Sequence, residues 1–330
     1  MPLLLLALCL LALPGDALAR GKGPIGLWPV DERYVVLADS SLAGLVLVDL
    51  QRGQAVERME LNKGRPIGVT GCDSCDFLLV TGGDASYWLL QLAAPPAQLL
   101  HTRGRLDLHN RNLKPLQFAA GKIPGDARIP LLSPDGSTGY VAASTDHSVY
   151  RIDLANGAKL DTLLRHPVHE PFGLNWGADG NLLVTMHRSE VWRVDATGKQ
   201  LASYNVQRAD CPGARRENPI LRAALDDPMN DGALFILATN PHSYDAVIWR
   251  YHASDTPRCE VAAGSIGNNP GWVDGKGADV QFSRPHYFTY RPATEPPQLL
   301  ISDIDNRALR LLDLGSMHTR SIMYDRDRWL

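Results

Sequence analysis

The chain lacks the means to bind a polyanion or to enter a bilayer. Its 33 basic and 36 acidic residues are interspersed and leave a formal charge of −3, so there is no basic field for a phosphate backbone and no polybasic tail for a lipid surface; nucleic-acid binding is not expected. Beyond the first residues no stretch is long and apolar enough to span a membrane. There is no Asn-x-Ser/Thr glycosylation acceptor, which fits a bacterial periplasm. Gly-x-Ser-x-Gly elbows, phosphate loops and His-Glu-x-x-His motifs are all absent, which removes the commonest hydrolase and nucleotide chemistries. Helical periodicity is scarce, while 29 glycines and 23 prolines punctuate the chain.

What the N-terminus does hold is an export signal. Leu3 to Leu13 has the length of an h-region and Ala17-Leu18-Ala19 is a small-x-small cleavage site, so residues 1–19 read as a signal peptide and 20–330 as the mature domain. The n-region has no Lys or Arg, and the terminal amine alone supplies its charge. Pro14-Gly15-Asp16 interrupts the run too early for a membrane anchor. Cys9, preceded by Leu8 inside the run, lacks the small residue that a lipoprotein signal needs. Four cysteines remain after cleavage, Cys72, Cys75, Cys211 and Cys259. An even number in an oxidising compartment favours disulfides, and three pairings are open. The expected ones are Cys72–Cys75, at a turn between strands, and Cys211–Cys259, flanking one repeat. Cys72-Asp73-Ser74-Cys75 has redox spacing, but a reactive pair opens a helix whose dipole lowers a thiol pKa, and no helix follows here. A periplasmic or secreted location follows.

One phrase recurs six times: an alternating apolar strand closing on Asp or a substitute, then a polar turn. The copies end at Asp49, Gln91, Asp153, Asp195, Tyr251 and Asp313, with steps of 42, 62, 42, 56 and 62 residues. The shorter steps match the roughly 40–50 residues of a four-stranded propeller blade. The longer ones add too little for another blade and read as extended connections between blades. A second strand lies upstream of each copy, for instance Phe77-Leu78-Leu79-Val80 and Leu234-Phe235-Ile236-Leu237. Turn signals precede it at Ser133-Pro134-Asp135-Gly136, Ala178-Asp179-Gly180 and Asn230-Asp231-Gly232. Such sheets hide their faces only by stacking around an axis. The pattern predicts an all-β, six-bladed β-propeller with four antiparallel strands per blade, against the alternatives of a solenoid or a β-sandwich. Trp88, Trp192 and Trp249 fall on third strands and are expected in interblade packing, and Trp272 is expected at the surface.

The sixth copy carries Gly271-Trp272-Val273-Asp274-Gly275-Lys276-Gly277, Phe282-Ser283-Arg284-Pro285-His286 and Ile301-Ser302-Asp303-Ile304-Asp305-Asn306-Arg307-Ala308-Leu309-Arg310. This resembles an NHL repeat closely over about fifty residues and loosely elsewhere; the third copy, with Ser144-Thr145-Asp146-His147, looks more like a YVTN-type repeat. Gly275 and Gly277 are expected to permit the blade-to-blade crossing, Pro285 to fix entry to the inner strand, and Asp303 and Asp305 to bind backbone N–H groups of their own loop. His286 also resembles the zinc-ligating histidine of peptidyl-hydroxyglycine lyases, which are six-bladed NHL propellers needing three such histidines. The matching positions here are Ile67 and Phe172, which cannot ligate. A gluconolactonase-like site would need Glu, Asn and Asp around a divalent ion, with Glu170, Asn175 and Asp303 the nearest candidates.

In a propeller, the loops entering the inner strands and those joining second to third strands share one face. That face is expected to collect Asp39, Asp84, Asp146, His147, His187, Arg188, His242, His286, Asp303 and Asp305. Of these, His147, His187, Arg188, His242, His286, Asp303 and Asp305 are the candidate ligand-binding residues. His242 and His286 are candidate ligands of a divalent metal, zinc or calcium, although no pair has diagnostic spacing. The bland reading is that these are loop histidines satisfying local backbone. No catalytic residue is assigned. The sequence therefore favours an exported, monomeric binding or scaffold protein that presents this rim to a protein partner or small polar ligand. A metal-dependent lyase or hydrolase at the channel is the alternative. Segments 101–128 and 208–220 are the expected partner surfaces, the first carrying Arg103, Arg105, Arg111, Lys114, Lys122 and Arg128.

Overall fold

Apolar side chains at every second position commit a segment to a half-buried strand, and a strand apolar on both faces must lie between two layers. The computed structural model describes residues 23–61, 65–108, 113–115, 124–187 and 189–322, and within them these rules produce six sheets. Blade one is β1 (Pro24–Pro29), β2 (Tyr34–Asp39), β3 (Gly44–Asp49) and β4 (Gln54–Glu60). Blade two is β5 (Pro66–Thr70), β6 (Phe77–Gly82), β7 (Tyr87–Gln91) and β8 (Leu113–Pro115), with helix α1 (Pro96–Arg103) between its last two strands. Blade three is β9 (Pro130–Leu132), β10 (Thr138–Ala143), β11 (Ser148–Asp153) and β12 (Lys159–Arg165). Blade four is β13 (Pro171–Trp176), β14 (Leu182–Met186), β15 (Glu190–Val194) and β16 (Gln200–Asn205). After α2 (Ala214–Glu217), blade five is β17 (Ile220–Asp226), β18 (Ala233–Thr239), β19 (Ala246–His252) and β20 (Arg258–Gly264). Blade six is β22 (Pro285–Arg291), β23 (Gln298–Asp303), β24 (Ala308–Asp313) and β25 (His318–Ile322), with β21 (Gly275–Lys276) added antiparallel to β25.

All pairings within blades are antiparallel. Burial is highest in the inner three strands and falls at the rim, where β12 and β16 are largely exposed. The Asp that ends the repeated phrase is a turn cap. Asp49 Oδ1 accepts the N–H groups of Gln51 and Arg52, and Asp153, Asp195 and Asp313 accept those of Asn156, Thr197 and Ser316. The three turn signals close the first hairpins of blades three, four and five, with Gly136, Gly180 and Gly232 in the left-handed conformation they required. Trp88, Trp192 and Trp249 are buried as expected, and Trp272 is exposed.

Blades are stitched by hydroxyls. Thr81 Oγ1, Ser144 Oγ, Thr239 Oγ1 and Ser302 Oγ donate to the carbonyls of Arg128, Pro171, Pro285 and Ile25, each at the entrance of the next blade. The Ser302 bond, 2.9 Å, joins blade six to blade one, and Arg291 Nε donates to Glu32 O at 2.6 Å. The ring thus closes by packing of β1 against β22, each end blade supplying its own strands. The tail from Tyr324 and the expected signal peptide, 1–19, lie outside the described residues. No described helix is long and apolar enough to cross a membrane.

Two expectations change. The insertion after Gln91 does not simply connect blades: it interrupts blade two between β7 and β8, where Leu99, Leu100, Leu106 and Leu108 pack on blade one and Glu57 accepts the N–H groups of Leu106 and Leu108. Its described cations are also occupied, Arg103 and Arg105 on Asp107 and Arg128 on Asp126; the side chains of Arg111, Lys114 and Lys122 lie outside the described residues.

Both expected cysteine pairs are within bonding distance, with Cα–Cα separations of 5.1 Å for Cys72–Cys75 and 4.8 Å for Cys211–Cys259, inside the range a disulfide spans. The first sits in the β5–β6 turn under the blade-three hairpin. A Cβ at Gly136 would lie 2.2 Å from Cys75 Sγ, so glycine there permits both the turn and the contact.

Candidate functional site

Each inner strand enters the ring at one end of the sheets, and its first residues form the channel mouth. In blades one, two, five and six the register slips by one residue there, leaving Ile25, Ile67, Arg222 and His286 as bulged positions; in blade four the slip spans Phe172-Gly173. A bulge re-aims its side chain. Glycine follows at 26, 68 and 173, and a Cβ at Gly173 would lie 2.0 Å from Arg222 O. The inner strands approach that closely because the glycines lack one.

The resulting mouth has two halves. Ile25 and Ile67 pack with Ile304 on the side of blades six, one and two. Across blades three to six stands a cationic, aromatic cluster. The guanidiniums of Arg128 and Arg222 lie over the Phe172 ring at 4.3 and 4.6 Å, and His286 meets that ring at 5.5 Å. Arg222 Nη1 donates to His286 Nε2 at 3.3 Å, which places the ring hydrogen on Nδ1. Arg222 is 8% and His286 3% exposed. Burial, then Arg222, Arg128 and Arg284, hold His286 well below its ordinary pKa, so it is neutral. Burial, then Arg128 and Arg284, bring Arg222 down to about 9.

Neighbouring basic side chains meet carboxylates: Arg128 pairs with Asp126 at 2.5 Å, Arg284 with Asp305 at 2.5 Å, and His187 Nδ1 meets Glu170 at 2.6 Å. Arg222 pairs with no Asp or Glu among the described residues, and its Nε and His286 Nδ1 are buried without a hydrogen-bond partner.

The predicted rim residues therefore divide. His286 and His187 both meet Phe172, the second at 6.5 Å. Asp305 acts through Arg284 and not, as expected, on its own loop's backbone. Asp303 also departs from expectation. Fully buried, it accepts from Ser283 N–H, Asn306 Nδ2 and Arg310 Nη1, each at 2.8 Å, and Arg310 reaches on to Asp274 and the carbonyls of Gln281 and Val273. It is a structural knot of blade six, its carboxyl pushed up to about 6 by burial against the pull of Arg310. Asp39 and Asp84 cap their own turns through Ser41 and Ser86, and Asp146 binds Tyr150 and Arg165. His147 ends a 3-10 turn at φ 53°. His242 is exposed, its N–H donating to Asn240 Oδ1. Arg188 lies outside the described residues.

A metal fits these residues poorly. No group of three or more His, Cys, Asp or Glu side chains able to hold one occurs among the described residues, His286 Nε2 is engaged by a guanidinium, and Ile67 and Phe172 stand at the other lyase-like positions. Glu170, Asn175 and Asp303 also fail to converge: Glu170 holds His187, Asp303 holds Arg310, and Asn175 Oδ1 accepts from Tyr287 OH at 2.5 Å deep in the channel. Asn175 lines a cavity of about 320 Å³ at the opposite end, together with Trp28, Trp176, Tyr287 and Tyr290. Three of its polar side chains are engaged by backbone carbonyls: Trp176 Nε1 donates to Leu132 O, Asn175 Nδ2 to Ala224 O and Tyr290 OH to Asp226 O.

Sequence reasoning missed Arg222 as a site residue. Its signal is an arginine inside the apolar run Ile220-Leu221-Arg222-Ala223-Ala224-Leu225, at the register where other blades read Pro-Ile-Gly, Pro-Phe-Gly or Pro-His-Tyr.

No protein-family model matches the chain, and no curated protein matches it. Among solved structures it is similar to hydrazine synthase of Kuenenia stuttgartiensis, 13% identical with a TM-score of 0.60 over 90% of this chain and 78% of that one. It is also similar to virginiamycin B lyase of Staphylococcus aureus, 14% identical with a TM-score of 0.56 over 91% of this chain and 84% of that one. Both are β-propeller proteins, and at these identities the likeness is one of fold.

Proposed function

We propose that residues 20–330 form an exported, NHL-like, monomeric propeller that works by binding, holding a small polar ligand or a partner's polar group at the mouth formed by Arg128, Phe172, Arg222 and His286. One observation carries this reading: Arg222 is buried at the channel mouth with no described Asp or Glu against it, and its Nε and the Nδ1 of His286 beside it lack acceptors. In the opposite cavity the donors of Asn175, Trp176 and Tyr290 are already engaged by backbone carbonyls. Two disulfides suit an oxidising compartment. His147, His187, His242 and Asp305 belong to the loops around the mouth and would set what approaches it. A divalent ion on His286 would stand beside the Arg222 cation, which counts against the metal-dependent alternative.

The test is native mass spectrometry and elemental analysis of the full chain purified from the compartment to which it is exported. A bound small molecule or partner retained by wild type and by Trp176→Phe, but lost in Phe172→Ala, is the expected result. Stoichiometric zinc or calcium lost on replacing His242 and His286 would establish the metal enzyme instead, and a ligand lost only in Trp176→Phe would move the site to the far cavity.

A further inference from the structure

We infer that the channel mouth is an oxyanion site, in which Arg222 takes the carboxylate or phosphate group of a small molecule; this rests on the binding reading above and specifies its ligand. The charge inventory leads to it. Three neighbouring basic side chains each meet a carboxylate, as Arg128–Asp126, Arg284–Asp305 and His187–Glu170. Arg222 alone is buried with two further guanidiniums acting on it and no described carboxylate against it. A buried cation without a counter-charge is costly, and a chain needing only bulk at this bulge has the solution that blades one and two use, isoleucine. The cost is compensated when an anion arrives.

The donors agree. A guanidinium offers five N–H groups in a fixed fork suited to two oxygens, and one of those groups is spent on His286 Nε2 while Nε is unused. His286 is neutral with its hydrogen on Nδ1, on the ring edge away from Arg222. By accepting from Arg222 through Nε2 it also orients the fork. Phe172, stacked on both guanidiniums, holds their planes and offers its remaining surface to the apolar part of a ligand.

The test is thermal unfolding of the full chain in sodium phosphate, sodium acetate or sodium chloride at equal ionic strength, with titration calorimetry for whichever anion responds. For an anion at ten times its dissociation constant, wild type should melt about 2 °C higher than in chloride, and correspondingly higher as the anion concentration rises. Arg222→Met should show no such rise, and in chloride should melt no lower than wild type, since it removes an uncompensated charge. Arg222→Lys, keeping the charge without the fork, should bind at least tenfold more weakly. A response to phosphate but not acetate assigns a phosphoryl ligand, and the converse a carboxylate. Equal rises in wild type and Arg222→Met, or none in either, overturn the inference. Should Arg222→Met not fold, the Arg222 Nε–H resonance of wild type decides: a saturable shift on adding anion supports the site, and no shift refutes it. Retention of a neutral ligand at the mouth without any anion response would overturn the oxyanion assignment and leave the binding reading standing; no ligand and no anion response would remove both.

Discussion

Arg310→Met tests the best-defined electrostatic device in the ring. Arg310 and Asp303 are both fully buried and meet at 2.8 Å, and the same guanidinium satisfies Asp274 and two carbonyls of the crossing that leads into blade six. Methionine fills much of the volume but leaves the Asp303 carboxylate with only Ser283 N–H and Asn306. Breaking a buried pair from one side costs about 3–5 kcal/mol, which in a chain of this size lowers the melting temperature by roughly 5–8 °C. The Asp303 carboxyl is raised to about 6 in the folded state, above its ordinary 3.8. Its sign is therefore that of a raised acid: its contribution favours folding fully below 3.8 and is lost as pH rises through about 6. The damage should then be large at pH 8, where Asp303 is ionised, and clearly smaller at pH 5, where it takes up a proton. Urea unfolding of wild type, Arg310→Met and Arg310→Met/Asp303→Asn at both pH values measures this, and the double variant should regain more than half of the pH 8 loss. A loss below 1 kcal/mol, or one equal at pH 5 and pH 8, refutes the reasoning.

Three further outcomes follow from the geometry. Cys211–Cys259 spans 48 residues and Cys72–Cys75 spans 3, so by loop-closure entropy replacing the first pair with serine should cost about 4 kcal/mol and the second roughly 1.5–2; denaturant unfolding showing equal losses would contradict this. His286, held below its ordinary 6.5, stays neutral in the fold, so the unfolded chain alone takes up the proton; this residue adds to wild type a loss of about 1.4 kcal/mol per pH unit as pH falls below 6.5, opposite in sign to the contribution of Asp303 below 6. His286→Gln should lack that slope in stability measured from pH 7 to 5. Gly173→Ala forces a Cβ against Arg222 O, with an expected cost of about 1–3 kcal/mol and a shift in the mouth aromatic signals in NMR spectra; an unchanged spectrum would mean that the inner strands are looser than described.

The repeated strands were legible because their apolar alternation and closing aspartates serve the same local ends in every blade, burial between neighbours and capping of a turn, and both are decided within ten residues. Trp88, Trp192 and Trp249 follow from the same rule. Helix α1 was not legible: it has little periodicity of its own, and is held by burial of Leu99 and Leu100 and by Glu57 from another blade. Asp303 was misread because a short acidic side chain after a strand ordinarily caps its loop, and only the fold shows Arg310 seven residues on folding back to it. The candidate site was half legible. Histidines in loops attract attention, whereas Arg222 sits in an apolar strand and acquires its meaning from a one-residue slip of register that places it beside His286 and Phe172. Charge balance among residues from four blades has no sequence signature at all.

The central claim is that the ligand enters beside Arg222. Its most direct test is a crystal structure of the full chain with the responding anion, or with the molecule it retains on purification. The expected result is density whose oxygen atoms lie within hydrogen-bond reach of the Arg222 guanidinium, near Phe172. Density confined to the cavity between Trp28 and Trp176, with Arg222 unmoved and contacted by nothing new, would contradict it.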